Sequence, residues 1–284
     1  MGFLKKLLNP FGKNKNKEYI DISKDSKRVS PNVPSQLLLY CRDIAGEQIQ
    51  KNMTLFKDCK WLRADYTYPA FDSMCFIYKN KVFSVIIDIL DENENSQLPE
   101  IYIKRQLYAA KEYDLVPCKF QVIVPNPEEP NKDEIKAKNT GWNLYHTKTN
   151  EEIFPEKISG DEPTEMSEWE KRNFAIKIAI RYLKAKKLQI LSYQDTLEVD
   201  PQIWFKDKNE KKCWLTVRCA TAPDKDVDKP KKLDEIIRRC FRNDGYFMGI
   251  VFSPVNENKN DYKIYRNSDV NVEPVCFEKV HSVI

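Results

Sequence analysis

Two aspartates stand where neighbouring apolar segments could bring them together. Asp72 opens a predicted strand over residues 72–79, and Asp88 lies in a predicted strand over residues 82–90. Short apolar runs that flank a Lys-Asn turn are typical of a β-hairpin. Paired carboxylates supply the hard oxygen ligands that Mg²⁺ prefers, and bound Mg²⁺ neutralises phosphate charge and helps to form hydroxide. The spacing therefore indicates a candidate metal site for chemistry on phosphate groups.

The same pattern recurs about 130 residues later in the chain. Asp200 enters a predicted strand, a Lys- and Asn-rich turn follows, and Arg218 lies in the next strand at the position of Asp88. The apolar segment 118–124 likewise recurs as 247–253. This spacing is longer than that of solenoid repeats. It predicts two copies of one domain.

The elements that must position these residues follow hydrophobic periodicity and turn signals. Each copy is predicted to run α-β-β-β-α-β-β, an α+β fold of the α/β-sandwich type in which two helices flank a mixed sheet. The expected organisation is a basic arm and linker over 1–32, a first repeat over 33–150 and a second repeat over 151–284. Helices are predicted over about 37–56, 98–113, 167–187 and 230–243, and strands over about 60–66, 72–79, 82–90, 118–124, 142–147, 188–193, 200–206, 212–220, 246–253 and 261–266. Ser96 and Gly245 are predicted to bound the two crossover helices.

This element order, with an aspartate at the start of the second strand, resembles the restriction-endonuclease-like (PD-(D/E)XK) superfamily. The resemblance implies that the leading aspartate and an acid on the next strand hold a divalent metal. It also implies a lysine two residues beyond the acid that positions or activates water. In the first repeat the acids fall on Asp72 and Asp88, and the lysine position falls on Leu90. Gln106 falls where some members carry a glutamine on the following helix.

The second repeat departs further from that motif. Asp200 is present, but the acid position falls on Arg218, or on Cys219 if the turn shifts by one, and the lysine position falls on Ala220. An arginine beside Asp200 is expected to form an internal ion pair that leaves no vacancy for a metal. Neither repeat carries all three groups. The resemblance therefore implies degenerate nuclease-like domains, with Mg²⁺ as a cofactor only if Asp72 and Asp88 are active.

Other catalytic and binding motifs are not favoured. The chain has 7 glycines and neither glycine-rich nucleotide-binding string, and its 8 cysteines form no CxxC pair. Cysteines inside apolar segments predict reduced, buried thiols in a cytosolic protein. His146 and His281 lack a nucleophile placed to partner them. The aromatic residues of the last strands could stack on bases, but packing at the sheet edge is the favoured role; they are Trp142, Tyr145, Tyr262 and Tyr265.

Charge is concentrated at the N-terminus. Residues 1–17 carry five lysines and no acid, residues 18–163 have a net charge of −5, and residues 164–284 have a net charge of +4. The nearly neutral body does not indicate nucleic-acid binding. The apolar residues of the arm share one helical face opposite Lys5 and Lys6; they are Phe3, Leu4, Leu7, Leu8 and Phe11. This pattern predicts contact with an anionic membrane surface, and an arm that is frayed or docked on the body is the alternative.

Three hypotheses follow. The leading one is a cytoplasmic, non-catalytic interaction or scaffold protein with a protein partner. The second is a metal-dependent nuclease that uses only the first repeat. The third is a binding module like the small α+β secretion chaperones. Parallel pairing of segment 118–124 with segment 60–66 is expected for the nuclease-like fold, and a purely antiparallel sheet for the chaperone-like fold.

Overall fold

Two mixed β-sheets with helices packed against them form the protein. The computed structural model describes residues 36–63, 74–195, 199–255 and 262–280. Helices in these ranges are α1 (Gln36–Met53), α2 (Glu100–Tyr113), α3 (Pro155–Ile158), α4 (Glu168–Ala185) and α5 (Leu233–Arg239). The strands are β1 (Cys59–Arg63), β2 (Met74–Tyr78), β3 (Lys81–Leu90), β4 (Val116–Ile123), β5 (Lys136–Ala137), β6 (Leu144–His146), β7 (Glu152–Ile153), β8 (Gln189–Tyr193), β9 (Ile203–Lys206), β10 (Lys212–Thr221), β11 (Asp244–Pro254) and β12 (Val270–Val280). The predicted α+β class is confirmed.

The two sheets share one connectivity. The first has the strand order β1-β2-β3-β4-β6-β7, with β5 also paired to β4. The second has the order β12-β11-β10-β9-β8. In each, a helix precedes an antiparallel three-strand meander, and a second helix crosses over to a strand parallel to the third one. This is the duplicated element order that the sequence predicts.

The strand pairing expected for the nuclease-like fold, segment 118–124 beside segment 60–66, is not found in the described residues. The parallel partner of β4 is β3, and β1 lies at the far edge of the sheet. The α2 crossover returns the chain to the adjacent strand, as most connections do. The sheet is also not purely antiparallel, so the arrangement expected for a chaperone-like domain is absent from the described residues.

Several predicted element boundaries are corrected by the structure. Helix α2 is preceded by Pro99, which makes no side-chain cap; Ser96 lies further upstream, where its hydroxyl donates to Asp88 and accepts from the Leu98 N–H. Gly245 lies inside β11 rather than after a helix. Residues 262–266 form no strand but an isolated bridge between Tyr265 and Glu165, and the last strand of the sheet is β12. Strand β7 joins the first sheet, so that sheet extends past the expected boundary at residue 150.

Each repeat has its own core, and a third cluster joins the repeats. One core lies between α1 and the first sheet, and another lies between α4 and the second. Helix α4 begins at a capping box made by Ser167 and Glu170, as the sequence predicts. Its residue Trp169 packs on the first repeat, against Cys75, Ile77 and Val82. Burying an indole in this way favours association of the two repeats through apolar contact.

Polar contacts reinforce the junction between the repeats. The Arg266 guanidinium, 1% exposed, donates to the Glu170 carboxylate at 2.8 Å and to the Asn80 carbonyl at 2.6 Å. Arg63 of β1 forms an ion pair with Asp195 at 2.8 Å. Buried ion pairs of this kind are sensitive to the loss of either partner. These contacts therefore link Asn80 and Arg63 of the first repeat to Arg266 and Asp195 of the second.

Candidate functional site

The acid position of the first repeat lies inside the protein. On β3, Phe83 and Val85 point into the α1 core, and the alternation of the strand places Asp88 on the opposite face. The Asp88 side chain is 0% exposed. A carboxylate without contact to water must be satisfied by protein donors.

Three donors satisfy Asp88. Its Oδ1 accepts a hydrogen bond from the Ser96 hydroxyl at 2.5 Å. Its Oδ2 accepts one from Gln121 Nε2 at 3.0 Å and lies 2.9 Å from Lys119 Nζ. Lys119 and Gln121 occupy alternate positions of β4, and Gln121 stands directly opposite Asp88 in the parallel ladder. The carboxylate is thus neutralised by a lysine from the neighbouring strand.

A metal ion at Asp88 would have to displace at least one of these donors. Both carboxylate oxygens already accept charge-assisted or neutral hydrogen bonds, and Lys119 supplies the positive charge that a cation would supply. Mg²⁺ takes several oxygen ligands and keeps some of its water. Within the described ranges, no group of three or more His, Cys, Asp or Glu residues could hold a metal. Asp72 lies outside the described residues.

The remaining positions carried over to the first repeat have structural contacts. Leu90 is buried in the sheet. Gln106 of α2 donates from Nε2 to the carbonyls of Ser84 and Cys118, at 2.6 and 2.8 Å. Its Oε1 accepts a hydrogen bond from the Thr147 hydroxyl at 2.6 Å. Gln106 therefore fastens the crossover helix to two parallel strands.

In the second repeat the charges are reversed: the acid position holds an arginine, and a carboxylate neutralises it. Arg218 of β10 donates to both oxygens of Asp200, at 2.9 and 2.6 Å, and the two side chains are 16% and 14% exposed. The predicted internal ion pair is confirmed. Gln202 also donates to Asp200, at 2.8 Å, and its Oε1 accepts from the backbone N–H of Val217. The bidentate geometry leaves Asp200 little capacity for another ligand.

A further arginine lies beside this pair. Arg172 of α4 lies near Cys219, the alternative acid position of the second repeat. Burial lowers the pKa of the Arg172 guanidinium, and the nearby positive charge of Arg218 lowers it further. Burial also raises the pKa of the Cys219 thiol. Ala220, at the lysine position, is half-buried.

The other candidate residues are spread over the molecule. His146 Nδ1 accepts from the backbone N–H of Thr149. Trp142 and Tyr145 are buried and Tyr262 is exposed, so these rings form no shared platform. All eight cysteines are free thiols; five of them are buried, as predicted, and Cys59, Cys219 and Cys276 are partly exposed. Residues 1–35, which include the apolar arm, and His281 lie outside the described residues.

A shallow groove of about 380 Å³ lies away from both ion pairs. Residues from α1 and from the segment 135–140 line it, and its charged lining residues are Glu47, Lys51, Lys136 and Lys138. Its lining includes no residue of the Asp88 or Asp200 clusters. The sites carried over from the sequence therefore do not open into this groove.

Sequence reasoning missed Lys119, Gln121, Gln202 and Arg172. A signal for the first two was present, because polar residues alternate with apolar ones in a segment that otherwise predicts a buried strand. Buried polar residues at alternate positions indicate a partner on the same sheet face. The sequence does not say which strand carries that partner.

Comparison with known proteins adds one finding. Residues 169–280 match the model of a family described as a domain of unknown function (DUF8840). The match runs from α4 to β12 and so covers the second repeat. No curated protein and no solved structure matches the chain.

Proposed function

We propose that this chain is a non-catalytic interaction protein built from two degenerate nuclease-like repeats. The observation that carries the proposal is the internal neutralisation of charge at the same strand position of both repeats. Lys119 neutralises Asp88 in the first repeat, and Asp200 neutralises Arg218 in the second. A site that must bind a cation and a phosphodiester needs unsatisfied, accessible ligands.

A cleavage assay tests this proposal. Purified full-length protein is incubated with single- and double-stranded DNA and RNA in Mg²⁺ or Mn²⁺, beside the Asp72→Ala variant. We expect no cleavage above that of the variant. Metal-dependent cleavage that disappears in Asp72→Ala would show that the first repeat is an active nuclease.

One observation favours that second candidate function. The lysine that is missing at Leu90 has a spatial substitute, because Lys119 Nζ lies 2.9 Å from the Asp88 carboxylate. A lysine beside an acid can position water at a metal. The complete burial of Asp88 argues against this use, since a metal would have to displace Ser96 and Gln121 first.

The proposal includes a protein partner, because a chain without chemistry acts through its contacts. Affinity-tagged full-length protein, purified under native conditions and analysed by size-exclusion chromatography, measures this. We expect one partner to co-elute in a fixed ratio to the chain. Elution of the chain by itself at every concentration would count against a scaffold role.

The proposal also includes a cytoplasmic location with contact to an anionic membrane surface through residues 1–17. No helix in the described part of the chain is long and apolar enough to cross a membrane. The support for surface contact is the apolar face and five lysines of the arm. Sedimentation with vesicles of anionic lipid should fall when residues 1–17 are removed. Equal sedimentation of both proteins would dismiss the membrane contact.

A further inference from the structure

Arg172 has hydrogen-bonding capacity that the fold does not use. Its Nε and Nη1 atoms are shielded from solvent and have no hydrogen-bond partner in the described part of the chain. A guanidinium carries five N–H donors. Buried donors that stay unpaired cost free energy, and charged donors cost more than neutral ones. Such an arrangement is uncommon in native proteins unless something else completes it.

The neighbouring acid, Asp200, does not pair with these two donors. Both Asp200 oxygens are engaged by Arg218, and Oδ1 also accepts from Gln202. Burial lowers the pKa of Arg172, and the positive charge of Arg218 nearby lowers it further, so the two charges repel. Arg172 and Arg218 thus lie near one carboxylate that already accepts three hydrogen bonds from the side-chain nitrogens of Arg218 and Gln202.

A third arginine lies at the rim of this cluster. Arg239 of α5 donates from Nη2 to the Asp200 carbonyl at 3.2 Å. Three separate elements, α4, β10 and α5, therefore direct guanidinium groups toward the start of β9. Guanidinium groups are well suited to bind phosphate oxygens because they donate several hydrogen bonds from one plane.

We propose that Arg172 and Arg218 form a binding site for a small phosphate-type oxyanion beside Asp200. The anion would accept hydrogen bonds from the unused donors of Arg172 and offset the repulsion between the two arginines. Residues 18–284 have a net charge of −1, because residues 18–163 carry −5 and residues 164–284 carry +4. That balance favours a small anion over a long nucleic-acid backbone, which needs an extended basic surface. The site goes beyond the proposed function and does not depend on it.

Calorimetric titration of the full chain tests the proposal. The probes are inorganic phosphate and a nucleoside monophosphate, each against chloride at matched ionic strength. We expect saturable binding of at least one probe, and the tighter probe shows whether the phosphate is free or carried by a nucleotide. Arg172→Met should weaken binding roughly ten- to a hundredfold, the range for losing a hydrogen bond to a charged group. Arg172→Lys should keep the fold and the charge but also bind more weakly, because it loses the planar donors.

The matched control is Arg181→Met, which removes an exposed arginine from the same helix. It should bind as the unmodified protein does. Binding of neither probe above chloride would overturn the proposal, and so would equal affinity in the unmodified protein, Arg172→Met and Arg172→Lys. The melting temperature of each variant, measured with and without phosphate, confirms folding and gives a second readout. A phosphate-dependent rise should occur in the unmodified protein and in Arg181→Met only.

Discussion

The polar clusters of the two repeats occupy the same place in the fold and carry opposite charge. Both parallel ladders begin five residues earlier, at Phe83 and at Cys213, so that Asp88 and Arg218 are equivalent. Asp88 is opposite Gln121, and Arg218 is opposite Gly249. The first repeat carries an acid at this position, and the second carries a base.

The source of the neutralising partner differs as well. In the first repeat the partners come from β4, whose Lys119 and Gln121 face Asp88. In the second repeat Gly249 has no side chain to offer, and side chains of Val227, Val275 and Cys276 fill the space beside it. The partner comes instead from the segment before β9, which carries Asp200. The comparison teaches that the fold keeps a satisfied charge pair at this position although the residue types change.

We expect the largest loss of stability when the Asp88 cluster of the first repeat is disrupted. Lys119→Met leaves Asp88 fully buried and without a counter-charge, and we expect it to lower the free energy of unfolding by about 3 kcal/mol. Chemical denaturation measures this loss. Lys104→Met is the control, since Lys104 is 45% exposed and pairs with Glu100 on the helix surface. Its loss should stay within about 0.5 kcal/mol, and equal losses in both variants would contradict the buried pair.

A smaller effect is expected in the second cluster. Arg218→Met removes the bidentate partner of Asp200, but Asp200 keeps Gln202 and some contact with water. We expect a loss of about 2 kcal/mol, less than for Lys119→Met. Denaturation of the two variants under one set of conditions gives the order. A larger loss for Arg218→Met would reverse our view of which cluster is the more deeply closed.

We expect the smallest loss of stability from a substitution of Ser96. Ser96→Ala removes one hydroxyl donor to Asp88 and leaves the ion pair with Lys119 in place. We expect a loss of about 1 kcal/mol in the free energy of unfolding. A double-mutant cycle with Lys119→Met should show coupling, because both side chains contact one carboxylate. Strictly additive losses would mean that Ser96 acts elsewhere, for example through its contact with the Leu98 N–H.

The sequence could predict one cluster and not the other for a physical reason. Asp200 and Arg218 flank a hairpin, and a short turn sets the register of the two strands, so their pairing follows from counting outward from the turn. Asp88 and Lys119 belong to parallel strands joined by α2. A crossover connection imposes no such register. Counting residues along the chain therefore could not predict that Lys119 pairs with Asp88.

The last strand of the second sheet, β12, is another element that the sequence did not predict. Pro274 interrupts the pattern of β12, and proline ordinarily argues against a strand. β12 tolerates it because the strand lies at the sheet edge, where one side needs no ladder hydrogen bonds. The repeated element order was predictable because periodicity and capping residues are local. Edge positions were not, because they depend on the strand order.

Mn²⁺ binding measures whether the acid position of the first repeat can take up a metal ion. Electron paramagnetic resonance of Mn²⁺ titrated with the full chain measures the fraction of free ion. We expect no difference in Mn²⁺ binding between the unmodified protein and Asp88→Asn, because protein donors already occupy both Asp88 oxygens. Stoichiometric Mn²⁺ binding that Asp88→Asn abolishes, while the variant remains folded, would contradict it.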